Sequence, residues 1–526
     1  MPTPEATRVR THTESLTPAL RRCSPWSERS YPISAWGLPA LSAFILAIYI
    51  LRISALPSKL MLPFALAALC GFVAVIVGNP RKLLLAIILL DIPIQLDINL
   101  FYEEEAAAIG ALGGLNLSVT TVSLAALYGL WFAQIVTRRS SIPKHLLRAT
   151  LPFVTYFGFV VFSLLTAHSI SLSLFEIGLL FQTLLLFIYI VGTTRTREDI
   201  YFIVTLLLIG VILLSLSMIA AYATGQEITF GPISTRVDPS FTRGTFFRPG
   251  GTIGSPLTAA SHLALLLVPA VSILLARLRW YHTVLAAMSF CLGLIALVMT
   301  YSRSGWIAFF VAGVVFCVIL WHRGWLSLRI PVFFVLAVLV LSLPFYATIY
   351  TRLTGDDSGS AYSRIPHAKL ALRIIADTPI FGVGANNVGL VMTGYAREGF
   401  QDLWLYTPHN KYLLVWTETG IGGMLAFTWF LLATLARGWR CWRLRDPVIS
   451  PLALAFTTGI LGQMVHMLTD MFHNRPQVQL LWLTAALIVA INHAAVIKAT
   501  DKPLTPATGQ QQFSGSPGSR RLTSIS

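Results

Sequence analysis

Runs of about twenty nearly uncharged residues recur in this chain from residue 36 to residue 493, and they restrict its fold more than any other feature. A helix of that length crosses roughly 30 Å of hydrocarbon. Of the 526 residues 55% are hydrophobic and only 11% charged, against about 25% charged in ordinary soluble domains. No water-soluble fold hides that much apolar surface. Inside a bilayer every backbone polar group must be satisfied within its own segment or by a closed barrel, and the short alternating strands of a membrane barrel are absent. The expected fold class is all-α, a polytopic membrane helical bundle.

The apolar runs read as spans at 36–53, 60–77, 83–96, 119–136, 149–167, 174–192, 200–222, 256–275, 283–301, 305–321, 330–349, 412–432, 450–468 and 478–493. That makes about 12 to 14 transmembrane helices, the first runs being short enough to be divided differently. The run at 36–53 has no small-residue cleavage site after it and reads as a retained helix. Residues 1–34 are basic and rich in Pro, Ser and Thr, and residues 499–526 are rich in Gly, Ser and Gln. Both read as disordered tails flanking a membrane domain at 35–498. No internal repeat is visible.

A net charge of +16 would suggest nucleic acid in a soluble protein, but here topology accounts for it. The loops 79–82, 138–148, 195–199, 276–282, 322–329 and 437–446 hold sixteen Lys and Arg in 45 residues. Those at 54–59, 97–118, 168–173, 301–304 and 470–477 hold three in 46. Lys and Arg are retained on the cytoplasmic side, so both termini are expected in the cytoplasm. The long polar segments 223–255 and 350–411 are then external. Cys70, Cys291 and Cys317 lie in apolar runs and Cys23 and Cys441 in the cytoplasmic segments, with no metal or redox spacing; no disulfide is expected.

The external loops carry most of the chemical information. The first ends Phe247-Arg248-Pro249-Gly250-Gly251 and runs to Ser255-Pro256, a tight turn into a helix whose N–H groups and Arg248 could receive an anion. The second contains an amphipathic helix at 362–376, expected along the membrane surface, and a turn-rich connector Gly382-Val383-Gly384-Ala385-Asn386-Asn387. It closes on Pro408-His409-Asn410-Lys411-Tyr412. His409 thus stands where the polar segment ends and an apolar helix begins, either as a base for a hydroxyl nucleophile or as a helix-end anchor. Arg303, in Tyr301-Ser302-Arg303-Ser304-Gly305, interrupts an apolar stretch and either faces a polar cavity or snorkels from a tight turn. Asn410 suits an N-cap. Glu418 is an ionisable group inside a span, with function or pairing to Lys411 or Arg303 as its alternatives. His466 and Asp470, four apart, read as one face of a helix end near His473, Asn474 and Arg475, either an acceptor rim or a polar terminus. No metal-ligand motif or serine elbow occurs in an external segment, so neither metal nor cofactor is expected.

In order, these pieces resemble the bacterial O-antigen ligase and O-antigen polymerase superfamily of integral membrane glycosyltransferases, over about residues 240–430. The resemblance rests on Arg248 with its Gly-rich run, Thr300-Tyr301-Ser302-Arg303-Ser304-Gly305-Trp306, Ser363-Arg364 leading to Thr378-Pro379-Ile380-Phe381-Gly382-Val383-Gly384, and Pro408-His409-Asn410-Lys411-Tyr412 followed by Glu418-Thr419-Gly420. It implies transfer of an undecaprenyl-diphosphate-linked glycan to a hydroxyl of lipid A core, of another repeat unit or of a protein, at the external face of the bacterial cytoplasmic membrane. By resemblance His409, Arg303 and Arg248 are the catalytic residues, the arginines holding the diphosphate and His409 activating the acceptor. Arg364, Asn410, Tyr412, Glu418 and Asp470 are the expected substrate-binding residues. The implied partners are the lipid-linked donor, the acceptor, membrane lipids, a chain-length regulator and a flippase, with no nucleic acid. Ser255-Pro256 stands where many relatives have Pro-Asn, so no role is carried over to that position. The competing class is a transporter or flippase, which should place its ionisable residues near the membrane midplane in broken helices.

Overall fold

The length and apolarity of the runs predict helices packed on one another, and the computed structural model has that architecture. It describes residues 79–137, 143, 145–230, 233–235, 247–276, 278–327, 364–396, 406–444 and 446–500, with isolated positions between 332 and 350 and backbone alone at 230 and 494–500. The spans expected at 36–53 and 60–77, both tails and nearly all of 330–349 lie outside these residues, as do Arg236 and Arg243 of the first long loop. The described helices and strands belong to the unit Arg81–Ser526.

Its helices are α1 (Pro80–Ile94), α2 (Glu104–Ala108), α3 (Val119–Val136), α4 (Leu146–Phe162), α5 (Ile170–Thr193), α6 (Arg197–Thr224), α7 (Pro256–Leu275), α8 (Trp280–Met299), α9 (Arg303–His322), α10 (Arg364–Asp377), α11 (Val388–Val391), α12 (Lys411–Trp442), α13 (Ile449–His466) and α14 (Arg475–Thr500). Among the described residues nine helices are long and apolar enough to cross a membrane: α3 to α9, α12 and α13. The chain is a multi-pass membrane protein. α1 has 15 residues, about 22 Å of helix, which is short of the hydrocarbon thickness. The run expected to span at 83–96 is thus a helix shorter than a full crossing.

α7 is the centre of the bundle. It packs on α6, α8, α9, α13 and α14, and 89% of its apolar window is buried against 28% for α3, which faces outward. Ser255 caps it and Pro256 occupies its first turn, where a missing N–H costs nothing. α14 lies between α5 and α12, and its Trp482 stacks on Phe153 of α4 at 3.5 Å between ring centroids.

Two small antiparallel strand pairs accompany the helices of this all-α bundle. β1 (Asp97–Leu100) pairs with β2 (Leu115–Ser118), and β3 (Thr229–Phe230) with β4 (Ile233–Ser234). Four-residue strands carry too little alternation to stand out in sequence. The amphipathic helix, α10, packs against α12 and buries His367, Leu370, Ala371, Ile374 and Ile375. Ile365 and Leu372 remain exposed.

α12 is broken at Gly420 (φ 69°, ψ −175°). Carbonyls freed by the break need other donors, and the connector supplies them: Val383 N–H donates to Thr417 O at 2.9 Å and Gly384 N–H to Glu418 O at 3.0 Å. A Cβ at Gly420 would lie 1.9 Å from Ile380 O, so this close approach requires glycine.

Candidate functional site

Arg248 and Arg303 attach to one turn, between α8 and α9. Tyr301 sits there at φ 50°, a left-handed conformation that is costly for a bulky residue and persists only when its surroundings fix it. They do so in several ways. Ser302 N–H donates to Thr300 Oγ1 at 3.2 Å, Ser302 Oγ caps α9 by accepting from Gly305 N–H at 3.2 Å, and Trp306 Nε1–H donates to Leu297 O at 2.9 Å. Arg303 is the first residue of α9 and partly buried. Arg248 reaches the same turn from the first long loop, its Nε–H donating to Thr300 O at 3.0 Å. The loop itself lies down on α6 and α1: Thr252 N–H donates to Ser217 Oγ at 3.2 Å and Thr252 Oγ1–H to Pro93 O at 2.6 Å.

His409 is set by the start of α12. Asn410 is the N-cap, its Oδ1 accepting from Tyr412 N–H and Leu413 N–H, each at 3.0 Å. Its Nδ2 donates to Leu468 O at 3.1 Å, and Lys411 N–H donates to Met467 O at 2.9 Å. The segment is thereby tied to the turn after α13. The His409 ring is partly buried, stacks on Tyr406 with centroids 5.6 Å apart, and has Nδ1 buried without a hydrogen-bond partner. Burial pulls its pKa down to about 4; Asp470 acts in the opposite direction, while Arg364 and His367 of α10 add to the depression.

Asp470 faces this histidine from beyond α13. The helix ends at His466, so Asp470 belongs to the following turn and not to a helix face, correcting the expectation from spacing. His466 Nε2 is still 3.4 Å from its carboxylate, and Gln477 Nε2 donates to it at 2.6 Å. Burial would raise Asp470, but the hydrogen bonds and charges of His466, Gln477 and His409 hold its pKa down at about 2. His473 lies in the same group, its pKa lowered to about 4 by burial and by Lys411.

The arginine turn and the histidine group flank the first turns of α7. A Cβ at Gly305 would meet Ala260 Cβ at 2.6 Å on the arginine side. On the histidine side Asn474 Nδ2 donates to Thr258 Oγ1 at 2.7 Å, and Ser261 and Gln463 exchange hydrogen bonds of 2.7 and 2.9 Å.

Of the expected substrate-binding residues, Arg364 opens α10 beside His409 and Asp470 is its carboxylate neighbour. Asn410, Tyr412 and Glu418 are engaged within the protein. Tyr412 Oη–H donates to Met464 O at 2.9 Å, and Glu418 Oε1 accepts from Asn386 N–H at 2.9 Å. Of the two cations weighed for Glu418, Lys411 is the one in its neighbourhood, with Nζ 4.0 Å from Glu176 Oε1 on α5. Sequence reasoning missed Glu176, His367, Gln477 and the buried pairs of Arg475 with Asp91 (2.8 Å) and Asp97 (3.2 Å). Asp91 and Glu176 each interrupt an apolar run, which is the signal that could have found them.

Residues 287–428 match the family model described as O-antigen ligase. The matched stretch contains Arg303, Arg364, His409, Asn410, Tyr412 and Glu418, while Arg248 and Asp470 lie outside it. No curated protein matches the chain.

Proposed function

We propose that this chain, whose residues 287–428 match the O-antigen ligase family model, moves an undecaprenyl-diphosphate-linked oligosaccharide onto a hydroxyl acceptor. The reaction takes place at the external face of the bacterial cytoplasmic membrane. The observation that carries this reading is geometric: the turn that holds Arg248 and Arg303 and the polar group around His409 both lie against the first turns of α7.

His409 takes the proton of the acceptor hydroxyl as its oxygen attacks the anomeric carbon. The bond from that carbon to the diphosphate oxygen breaks, and the lipid diphosphate leaves with the electron pair. Negative charge grows on the leaving group, and Arg248 and Arg303 stabilise it with fixed donors in a site of low water content. Arg364 adds a third cation next to the base. The acceptor is a glycan or lipid A core hydroxyl, and a flippase and a chain-length regulator are the fitting partners.

Transport is less well supported. The buried Lys411–Glu176 pair inside the bundle is the feature that would suit it, but the cavity it shares with Tyr156, Phe427, Phe472 and Trp482 is ≈ 10 Å³, about the room one water needs.

The test uses purified protein in liposomes supplied with radiolabelled lipid-linked glycan and acceptor. Transfer predicts label on the acceptor with an equal amount of lipid diphosphate released. Label crossing the bilayer still attached to its lipid, with none transferred, would overturn it.

A further inference from the structure

Between α1 and α3 the chain inserts a cap, residues 97–118, to which the transfer reading gives no task. It contains Asp97, Glu103, Glu104 and Glu105 and no Lys, Arg or His. It is firmly built: β1 and β2 pair from Asp97 opposite Ser118 to Leu100 opposite Leu115, and Ala106 and Ala111 pack with Leu172 and Phe175. Asp97 accepts from Asn116 Nδ2 at 2.6 Å and lies 3.2 Å from Arg475 Nε.

The cap also joins the segment that carries His409. Leu112 N–H donates to Asn386 Oδ1 at 2.7 Å and Asn386 Nδ2 returns a bond to Leu112 O at 3.0 Å. Thr407, two residues before His409, donates its N–H to Ile109 O at 3.1 Å.

At the far end of the hairpin, about 13 Å along four strand residues from the helix ends, Phe101 and Tyr102 are 78% and 57% exposed. Phe101 is held at φ 55°. A Cβ on Gly113 would lie 3.0 Å from Tyr102 Cε2, so the backbone at Gly113 approaches this ring closely while more than half of the residue stays exposed. Glu103, Glu104 and Glu105 follow, all exposed. The result is a pre-set aromatic face bordered by carboxylates.

We propose that this tip is a sugar-binding platform for the glycan handled by the site, an inference that rests on the transfer reading for where that glycan comes from. An aromatic face is electronegative and meets the C–H edge of a sugar ring favourably, and carboxylates accept strong hydrogen bonds from hydroxyls. The same carboxylates repel a diphosphate and an anionic lipid surface. Charge therefore sorts the two ends of the substrate: diphosphate at Arg248 and Arg303, neutral or amino sugars at the cap.

The experiment uses the full chain in nanodiscs of neutral phosphatidylcholine. The probe is the oligosaccharide released by mild acid from the lipid-linked pool of cells expressing the chain, and binding is read by saturation-transfer NMR. Wild type should show saturation transfer to the sugar, Tyr102→Phe should retain affinity, and Tyr102→Ala should lose about tenfold or more. Absence of saturation transfer to the sugar from wild type, or equal affinity in Tyr102→Ala, would overturn the platform. So would a Tyr102→Ala that changes only quenching by spin-labelled lipid, since the tip would then be a membrane anchor. Because binding is read without turnover, the platform can fail while transfer stands, and the reverse.

Discussion

A histidine with a pKa near 4 is unprotonated at neutral pH, and this sets how the chemistry should respond to acid. The group is depressed by burial and by Arg364 and His367, raised by Asp470, and lies close to His473. Since kcat/KM follows the free enzyme, its acid limb should fall near pH 4, well below the 6.5 of an unperturbed imidazole. A bound diphosphate offsets the nearby cations and favours the protonated ring, so the limb in kcat should lie at higher pH. A pH–rate profile with both limbs near 6.5 would contradict this. Asp470→Asn removes a charge that favours the imidazolium; the limb should move further down and the plateau rate should drop, the base being weaker. An unshifted profile would leave Asp470 a structural residue. His409 was legible because it stands at the change from polar to apolar sequence. The Asp470 arrangement was not, because its four-residue spacing from His466 crosses a helix end that periodicity cannot see.

At the scale of elements, the break in α12 joins the connector at 379–384 to the first half of that helix, which begins two residues after His409. Gly420 occupies a conformation essentially restricted to glycine, and a side chain there costs about 1–3 kcal/mol in strain before the clash with Ile380 O is counted. Gly420→Ala should lower the thermal unfolding midpoint clearly; a midpoint equal to wild type would show that the break is incidental. Lys411 and Glu176 are a second tie, across to α5. Lys411→Met leaves a buried carboxylate alone, a change of about 3–5 kcal/mol in such settings, and Lys411→Met with Glu176→Gln should recover most of the folded yield. A double variant no better than the single would sink this pairing. Sequence periodicity showed α12 as one uninterrupted helix, because a glycine inside an apolar run has several structural meanings. The Glu418-Thr419-Gly420 run was visible, but the contacts that explain it come from Ile380, Gly384 and Asn386, far back along the chain in the connector.

For the whole molecule, apolar length placed the helices α3 to α9 and α13 within a few residues of where they occur, and the start of α12, whose end at Trp442 lies ten residues beyond the expected 432, because a span must satisfy its own backbone. It did not separate α1 from a full span, nor show that the cap is a hairpin, since both depend on burial by distant segments. Sidedness rests on charge bias alone and needs its own test. In a cysteine-free background, cysteines at the exposed positions Glu104 and Thr393 should react with an impermeant thiol reagent from outside, and those at Arg195 and Arg440 should not. The opposite labelling would reverse the orientation. The central claim, that the arginine turn and His409 serve one transfer reaction, is tested most directly by two variants on immunoblot-matched membranes, scored by lipid-linked donor consumed and product formed. His409→Ala removes a base whose contribution is typically about 10²- to 10⁴-fold, and Arg303→Lys keeps the charge but loses the planar fork that grips two phosphate oxygens. Both should abolish transfer at unchanged protein level; full transfer by both would mean that these residues are helix-end anchors and that the chemistry lies elsewhere.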